Sequence, residues 1–144
     1  MMATPAPDYF RRDQERGITA PDLSKDCVFA EHVVRARGKR TRYTSVSLDK
    51  TKIDDFGPLL YLALRSMITT DGHSIIEHSD LIAALRTSAA SSDKAERVRA
   101  VQALRYAQRR KEGLIDWRFN LNGVERKEYV SFGSNAVQKY FSRA

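Results

Sequence analysis

The sequence predicts an α+β fold, with a small mixed sheet formed by N-terminal strands and a helical, basic C-terminal half. Two observations support this class: β-branched and aromatic residues concentrate in short segments of the first half, and apolar residues recur at helical spacing after residue 79. With 144 residues, of which 42% are apolar, the chain can bury one core without cross-links. Residues 1–8 are rich in Pro and Ala without periodicity, so we expect a flexible lead-in and one domain over residues 9–144.

The first half contains three strand predictions. The segments Cys27–Ala36 and Arg40–Leu48 are rich in β-branched and aromatic residues, and Gly38 between them is suited to a hairpin turn. Asp49 is placed to cap a short helix that ends before Gly57-Pro58. The apolar run of residues 59–65 predicts a buried strand, although periodicity alone also permits a buried helix.

Two helices and a strand are predicted in the second half. A helix begins at Ser79 or Asp80 and continues to about residue 88, and Asp93 caps a longer basic helix that ends before Gly113. Residues 114–121 predict a strand that contains the single tryptophan, and residues 122–123 form a tight turn. A final helix over residues 124–141 is the first prediction, and a second strand is the alternative.

The basic helix has two different sides at 100° per residue. Ala100, Ala103, Leu104 and Ala107 cluster on one side with Val101 at its edge, which predicts close packing against the domain. The opposite side carries basic residues: Lys94, Arg99, Arg105, Arg109 and Arg110.

Composition excludes several classes of protein. The chain has one cysteine, Cys27, so no intramolecular disulfide and no cysteine-based zinc site is expected. It contains neither a signal-peptide pattern nor the run of about 20 apolar residues that a membrane span needs. We therefore expect no membrane association, and a location in the cytoplasm or delivery into the cytoplasm of a target cell.

The charge distribution predicts an anionic partner. The formal net charge is +7, which favours association with nucleic acids or acidic proteins. Five basic residues without an acidic neighbour precede or open the second predicted strand, namely Arg35, Arg37, Lys39, Arg40 and Arg42. Together with Arg99, Arg105, Arg109 and Arg110 of the basic helix, they are the predicted contacts to an acidic macromolecule.

Two short motifs in the first half carry a resemblance to a known family. Tyr9-Phe-Arg-Arg-Asp13 is followed by Arg42-Tyr-Thr-Ser-Val-Ser47, which resembles the aromatic-Arg-x-Asp and aromatic-x-Ser-Thr-Ser strands of mono-ADP-ribosyltransferase toxins. The resemblance implies transfer of ADP-ribose from NAD to a macromolecular target, with NAD as the substrate. It also implies an immunity protein as a further partner.

The resemblance also implies roles for single residues. Arg11 would hold the NAD phosphates or ribose, and Tyr43, Ser45 and Ser47 would shape the nicotinamide pocket. Glu77, in a predicted short strand over residues 74–78, would stabilise the positively charged ribose centre, with residues 125 and 128 as weaker glutamate candidates.

Two other functions remain open. The helix over residues 80–88, the Ser-rich turn, the basic helix and a hairpin containing Trp117 resemble a winged-helix nucleic-acid-binding arrangement. The Arg-rich helix and the segment of residues 113–117 also resemble C-terminal domains of bacterial polymorphic toxins, and a ribonuclease toxin would use His73 or His78. These two histidines are five apart and would point to opposite sides of one strand, so no metal site is predicted.

Overall fold

The computed structural model describes residues 8–15, 17–22, 28–34, 40–52, 57–120 and 137–144. Within these ranges the strands are β1 (Tyr9–Asp13), β2 (Tyr43–Ser47), β3 (Leu59–Ala63), β4 (His73–Ile76), β5 (Glu112–Asn120) and β6 (Phe141–Arg143). The helices are α1 (Phe29–Val34), α2 (Arg65–Thr70), α3 (His78–Ala89) and α4 (Lys94–Arg110), with a 3-10 turn at Gln138–Tyr140.

The strands form one sheet in the order β4-β5-β2-β1-β3-β6, and each neighbouring pair is antiparallel. β1 pairs with β3 along its whole length, whereas the pairing of β1 with β2 is between Phe10 and Ser47. The α+β class is therefore confirmed. The sheet is antiparallel and not mixed, and it is not built from the N-terminal strands alone, because β5 lies between β4 and β2 and β6 forms one edge.

Each face of the sheet carries its own apolar core. Leu114 of β5 faces α1, α3 and α4 and packs in a cluster that includes Leu81, Leu85 and Ala103. The neighbouring β5 residues Ile115 and Trp117 belong to the cluster that contains Tyr9, Val46, Tyr61 and Tyr140. Because successive side chains of a strand point to opposite faces, β5 contributes to both cores.

Most of the predicted elements are confirmed. β2 lies within residues 40–48 and the run of residues 59–65 contains β3. β4 overlaps the strand predicted over residues 74–78, but Glu77 and His78 begin α3, so His73 and His78 do not share one strand. α3 begins slightly earlier than predicted, with Glu77 as its N-cap residue. α4 has the predicted start, because the side chain of Asp93 accepts a hydrogen bond from the backbone N–H of Glu96.

Two predictions are wrong. The segment Cys27–Ala36 was expected to be a strand, but Phe29–Val34 is helical, with Ala30, His32 and Val33 buried. Packing of this helix against α4 outweighs its β-branched content, and the predicted hairpin with β2 is therefore absent among the described residues. The predicted final helix is also wrong over residues 138–141, where a 3-10 turn leads into β6.

The predicted helix after Asp49 is described only at its beginning. The Asp49 carboxylate accepts hydrogen bonds from the N–H and the hydroxyl of Thr51 at 2.9 and 2.6 Å, in a turn over residues 50–52. Residues 53–56 lie outside the described residues, as do Gly38 and the turn predicted at residues 122–123.

Candidate functional site

Arg11 lies beside Ser45, but its guanidinium group is engaged within the protein. Its Nε and Nη2 atoms donate to Asp13 Oδ2 at 3.2 and 3.1 Å, and Nη1 donates to the carbonyl oxygen of Ser45 at 3.0 Å. Asp13 also accepts from the backbone N–H groups of Gln14 and Thr19. Arg11 thus links β1 to β2 and neutralises a buried carboxylate.

Ser45 belongs to a chain of hydrogen bonds beneath α1. Its Oγ donates to Glu112 Oε2 at 3.1 Å and lies 2.7 Å from His32 Nε2. On the other side of the ring, His32 Nδ1 lies 2.6 Å from Thr41 Oγ1, which accepts from the N–H of Tyr43 at 3.1 Å. Because the Ser45 hydroxyl donates to Glu112, His32 Nε2 is the donor toward Ser45 Oγ.

Glu112 is the charged end of this chain. Burial raises the pKa of its carboxyl group to about 7, although Arg110, Ser45 and Arg11 act in the opposite direction. Arg110 Nη1 lies 3.6 Å from Glu112 Oε1, and His78 Nδ1 lies 2.8 Å from the Glu112 carbonyl oxygen. The carboxyl group therefore keeps its proton to a higher pH than an exposed glutamate does.

The chain contains groups capable of acid–base chemistry, yet they are covered. His32, Thr41, Ser45 and Glu112 are all buried. Ser47 is also buried, and its Oγ contacts the carbonyl oxygens of Asp49 and Arg110. The same is true of Tyr43, whose ring packs edge-on against Phe29 and His32.

Glu77 contacts a different set of residues. Its Oε1 accepts from Tyr9 Oη at 3.2 Å and from Arg65 Nη2 at 3.0 Å. The Tyr9 hydroxyl in turn accepts from the N–H of His78 at 2.6 Å, and burial raises the pKa of Tyr9 to about 12. Arg11 is therefore in contact with Ser45. Glu77 is instead hydrogen-bonded to Tyr9 and Arg65.

The NAD-transferase and ribonuclease functions stay predictions. The guanidinium of Arg11 and the hydroxyls of Ser45 and Ser47, which would hold NAD, are engaged in contacts within the domain. Of the two histidines considered for RNA cleavage, His73 is buried with its Nε2 3.1 Å from Tyr140 Oη, and His78 contacts β5.

The predicted basic residues separate into two groups. Arg42 pairs with Asp116 at 3.5 Å, Arg110 turns toward Glu112, and Arg99 pairs with Glu31 of α1 at 2.8 Å. Arg40, Arg105 and Arg109 are exposed, as is Arg99 itself. The remaining predicted residues, Arg35, Arg37 and Lys39, lie outside the described residues, as do Glu125 and Glu128.

α4 presents a continuous exposed surface, which we call the outer stripe. It consists of Lys94, Val98, Val101, Gln102, Arg105, Gln108 and Arg109, all of them exposed. At 100° per residue these positions lie within about 120° of one another, opposite the fully buried Ala100, Ala103 and Ala107. The stripe contains no carboxylate, since the acidic residues of this helix region, Asp93 and Glu96, lie at its N-terminus.

No family model, curated protein or solved structure matches this chain. Within the described ranges, no helix combines the length and apolar character required to cross a membrane. Over the same part of the chain, no three His, Cys, Asp or Glu side chains are grouped as metal ligands.

The sequence indicated the cations of the outer stripe but not its uncharged members. Val101 was expected at the edge of the packed side and is instead exposed, whereas Arg110, expected on the outer side, is largely covered. No sequence pattern singled out Gln102 or Gln108 as a contact residue. The same helical wheel could have revealed Val98, Val101 and Arg105 in one row, since they are separated by three and four residues.

Proposed function

We propose that this protein binds nucleic acid through the outer stripe of α4. The observation that carries the proposal is an exposed helical surface with three cations, Lys94, Arg105 and Arg109, and no carboxylate. Phosphate groups are bound by such cations with release of counterions, and the formal net charge of +7 favours the encounter.

The position of α4 relative to α3 supports a helix-turn-helix mode of binding. α3 and α4 are joined by residues 90–93, and Leu81 and Leu85 of α3 pack in the same core as Ala103 of α4. α3 thus supports the alanine side of α4 and leaves the outer stripe exposed. In helix-turn-helix proteins the second helix is presented to the major groove in this manner.

The connection between the two helices is held by local hydrogen bonds. Arg97 Nη1 donates to the carbonyl oxygen of Ser91 at 3.0 Å, and the Ser91 hydroxyl donates to Glu96 Oε2 at 2.8 Å. The Asp93 cap adds a third link at 3.1 Å. These contacts restrict the beginning of α4, so its stripe is a preformed surface whose ordering costs little on binding.

A titration with labelled duplex DNA at two salt concentrations tests the proposal. We expect wild-type affinity to fall steeply with salt, and the Arg105→Ala/Arg109→Ala variant to lose about two units of the log–log salt slope. The matched control is Lys139→Ala/Arg143→Ala, which removes the same charge beside and within β6, at the far edge of the sheet from β4.

Two outcomes would overturn the proposal. One is an absence of duplex binding by the wild-type protein even at low salt. The other is an equal loss of affinity in the two double variants, which would indicate a response to net charge and not to the outer stripe. Circular dichroism of each variant establishes that the fold is retained.

A further inference from the structure

Two valines lie exposed within the cationic outer stripe. Val98 is 57% exposed and Val101 39%, and they are two of the four large apolar side chains exposed in the described part of the chain. Phosphate binding requires cations and hydrogen-bond donors only. The two valines therefore need a separate explanation, one in which their apolar surface is covered by the partner.

The valines form a compact group with a glutamine. Val98, Val101 and Gln102 are spaced by three and one residues, and Arg105 follows one turn later on the same side. At 1.5 Å of rise per residue, the group from Val98 to Arg105 extends over about 10 Å, or roughly three base-pair steps of B-form DNA.

The chemistry of this group matches base edges of the DNA major groove. The apolar feature of that groove is the thymine methyl group, and valine provides an apolar surface of the kind that contacts it. Glutamine can donate to N7 and accept from N6 of adenine, and arginine can donate to N7 and O6 of guanine. A-form RNA offers neither the methyl group nor a major groove wide enough for a helix.

A second copy of this chain is the less favourable partner for the stripe. Symmetric pairing through the valines would bring Lys94, Arg105 and Arg109 of one copy toward the same cations of the other. Without a carboxylate on the stripe, these charges would repel one another. DNA instead supplies phosphates for the cations and methyl groups for the valines.

We propose that Val98, Val101 and Gln102 read A·T base pairs in the major groove of B-form DNA, with the valines in contact with thymine methyl groups. This rests on the proposed nucleic-acid function and deepens it, because it specifies duplex DNA over RNA and assigns sequence preference to the uncharged members of the stripe.

The experiment removes methyl groups from both molecules. Duplexes enriched by repeated selection on the wild-type protein are prepared with each thymine replaced in turn by deoxyuracil. We expect A·T pairs in the selected sequences, and a loss of about fourfold in affinity for each contacted methyl group. The Val98→Ala/Val101→Ala variant should bind the thymine and deoxyuracil duplexes almost equally.

The matched control is Val28→Ala, because Val28 is 60% exposed and lies outside the outer stripe, before α1. This variant should keep the full wild-type response to deoxyuracil. A duplex RNA of the selected sequence should bind far more weakly than the DNA.

The outcomes separate this inference from the proposed function. If no duplex binds at low salt, the proposed function fails. If duplexes bind but the wild type and the Val98→Ala/Val101→Ala variant lose the same affinity on replacement of thymine, the reading of methyl groups is overturned while nucleic-acid binding stands. A wild-type dimer in light scattering that the valine variant abolishes would assign the valines to a second copy and also overturn the inference.

Discussion

The carboxyl group of Glu112 is enclosed by basic and polar side chains from several elements. Arg110 comes from the end of α4, Ser45 from β2 and Arg11 from β1, and His78 of α3 contacts its carbonyl oxygen. His32 of α1 is joined to it through Ser45. Despite these partners, loss of hydration dominates and raises the pKa of Glu112 to about 7.

The raised pKa predicts a pH dependence of stability. Because the pKa is about 7 in the folded protein against 4.5 ordinarily, the folded protein retains a proton that the unfolded chain loses over this range. The free energy of unfolding therefore falls as pH rises from 4.5 to 7, and this contribution is on the order of 3 kcal/mol. Urea unfolding at pH 5 and pH 8 should show a smaller difference in Glu112→Gln than in the wild type.

Glu31→Gln is the control for this measurement, because the Glu31 side chain is 46% exposed and pairs with Arg99 at the surface. It should retain the wild-type difference between the two pH values. An unchanged difference in Glu112→Gln would contradict the assignment of the pH dependence to Glu112.

Gly113 allows the backbone of β5 to lie close to the ring of Tyr9. A Cβ at this position would lie 2.7 Å from Cε1 of the Tyr9 ring, which is held by Glu77 and by the N–H of His78. Gly113→Ala should therefore destabilise the protein by about 1–3 kcal/mol. In a double-mutant cycle measured by urea unfolding, the loss should be smaller when Tyr9 is already alanine, and an additive result would contradict the contact.

At the scale of elements, α4 is the helix whose ends are best defined by the sequence. Asp93 caps its N-terminus as predicted, and its other end is closed by Lys111 in the left-handed conformation, with φ of 48°. Glycine is the residue that usually occupies this C-terminal position, because a Cβ is unfavourable at positive φ. The alanine face between the two ends allows close packing against the rest of the domain.

The left-handed cap predicts a stabilising substitution. Lys111→Gly should raise the free energy of unfolding by about 1 kcal/mol, because the strain of a non-glycine residue at positive φ is removed. Lys111→Ala removes the same charge but keeps the Cβ, so it serves as the control and should give no such gain. Equal melting temperatures for the two variants would contradict the argument.

Two short elements, α1 and the 3-10 turn before β6, were harder to predict. α1 has six residues, with a valine pair and an aromatic residue, and this composition favours a strand. Its helical state follows from packing of Ala30 and Val33 beside α4 and Tyr43, which a local pattern does not contain. The 3-10 turn before β6 is similarly determined by Val137 and Tyr140, which pack in the other core.

At the scale of the whole molecule, β6 completes the core on the face of the sheet opposite α1, α3 and α4. β6 pairs with β3, Phe141 contributes to the same core as Trp117, and the Tyr140 hydroxyl donates to Asp71 Oδ2 at 2.6 Å. Residues far apart in sequence are thus joined in one core. We therefore expect the described elements to unfold together.

Phe141→Ala tests this expectation. Loss of the ring should lower the free energy of unfolding by about 3 kcal/mol, because a cavity is left in the core. Trp117 fluorescence and helical circular dichroism should shift together to lower urea concentration. The neighbouring variant Ser142→Ala alters an exposed side chain and should leave both curves unchanged. Separate transitions in the two signals would contradict a single cooperative unit.

Local sequence patterns predicted the α+β class, the strands β2 and β5, and the full course of α4 with its cap and alanine face, whereas they favoured β3 as a strand without excluding a helix. These features depend on periodicity, capping and residue type over a few neighbouring positions. The tertiary fold made α1 a helix, turned Arg42 and Arg110 toward Asp116 and Glu112, and left Val98 and Val101 exposed. It also joined Ser45 to Glu112, 67 residues away, because burial and pairing depend on contacts between distant segments that no local pattern specifies.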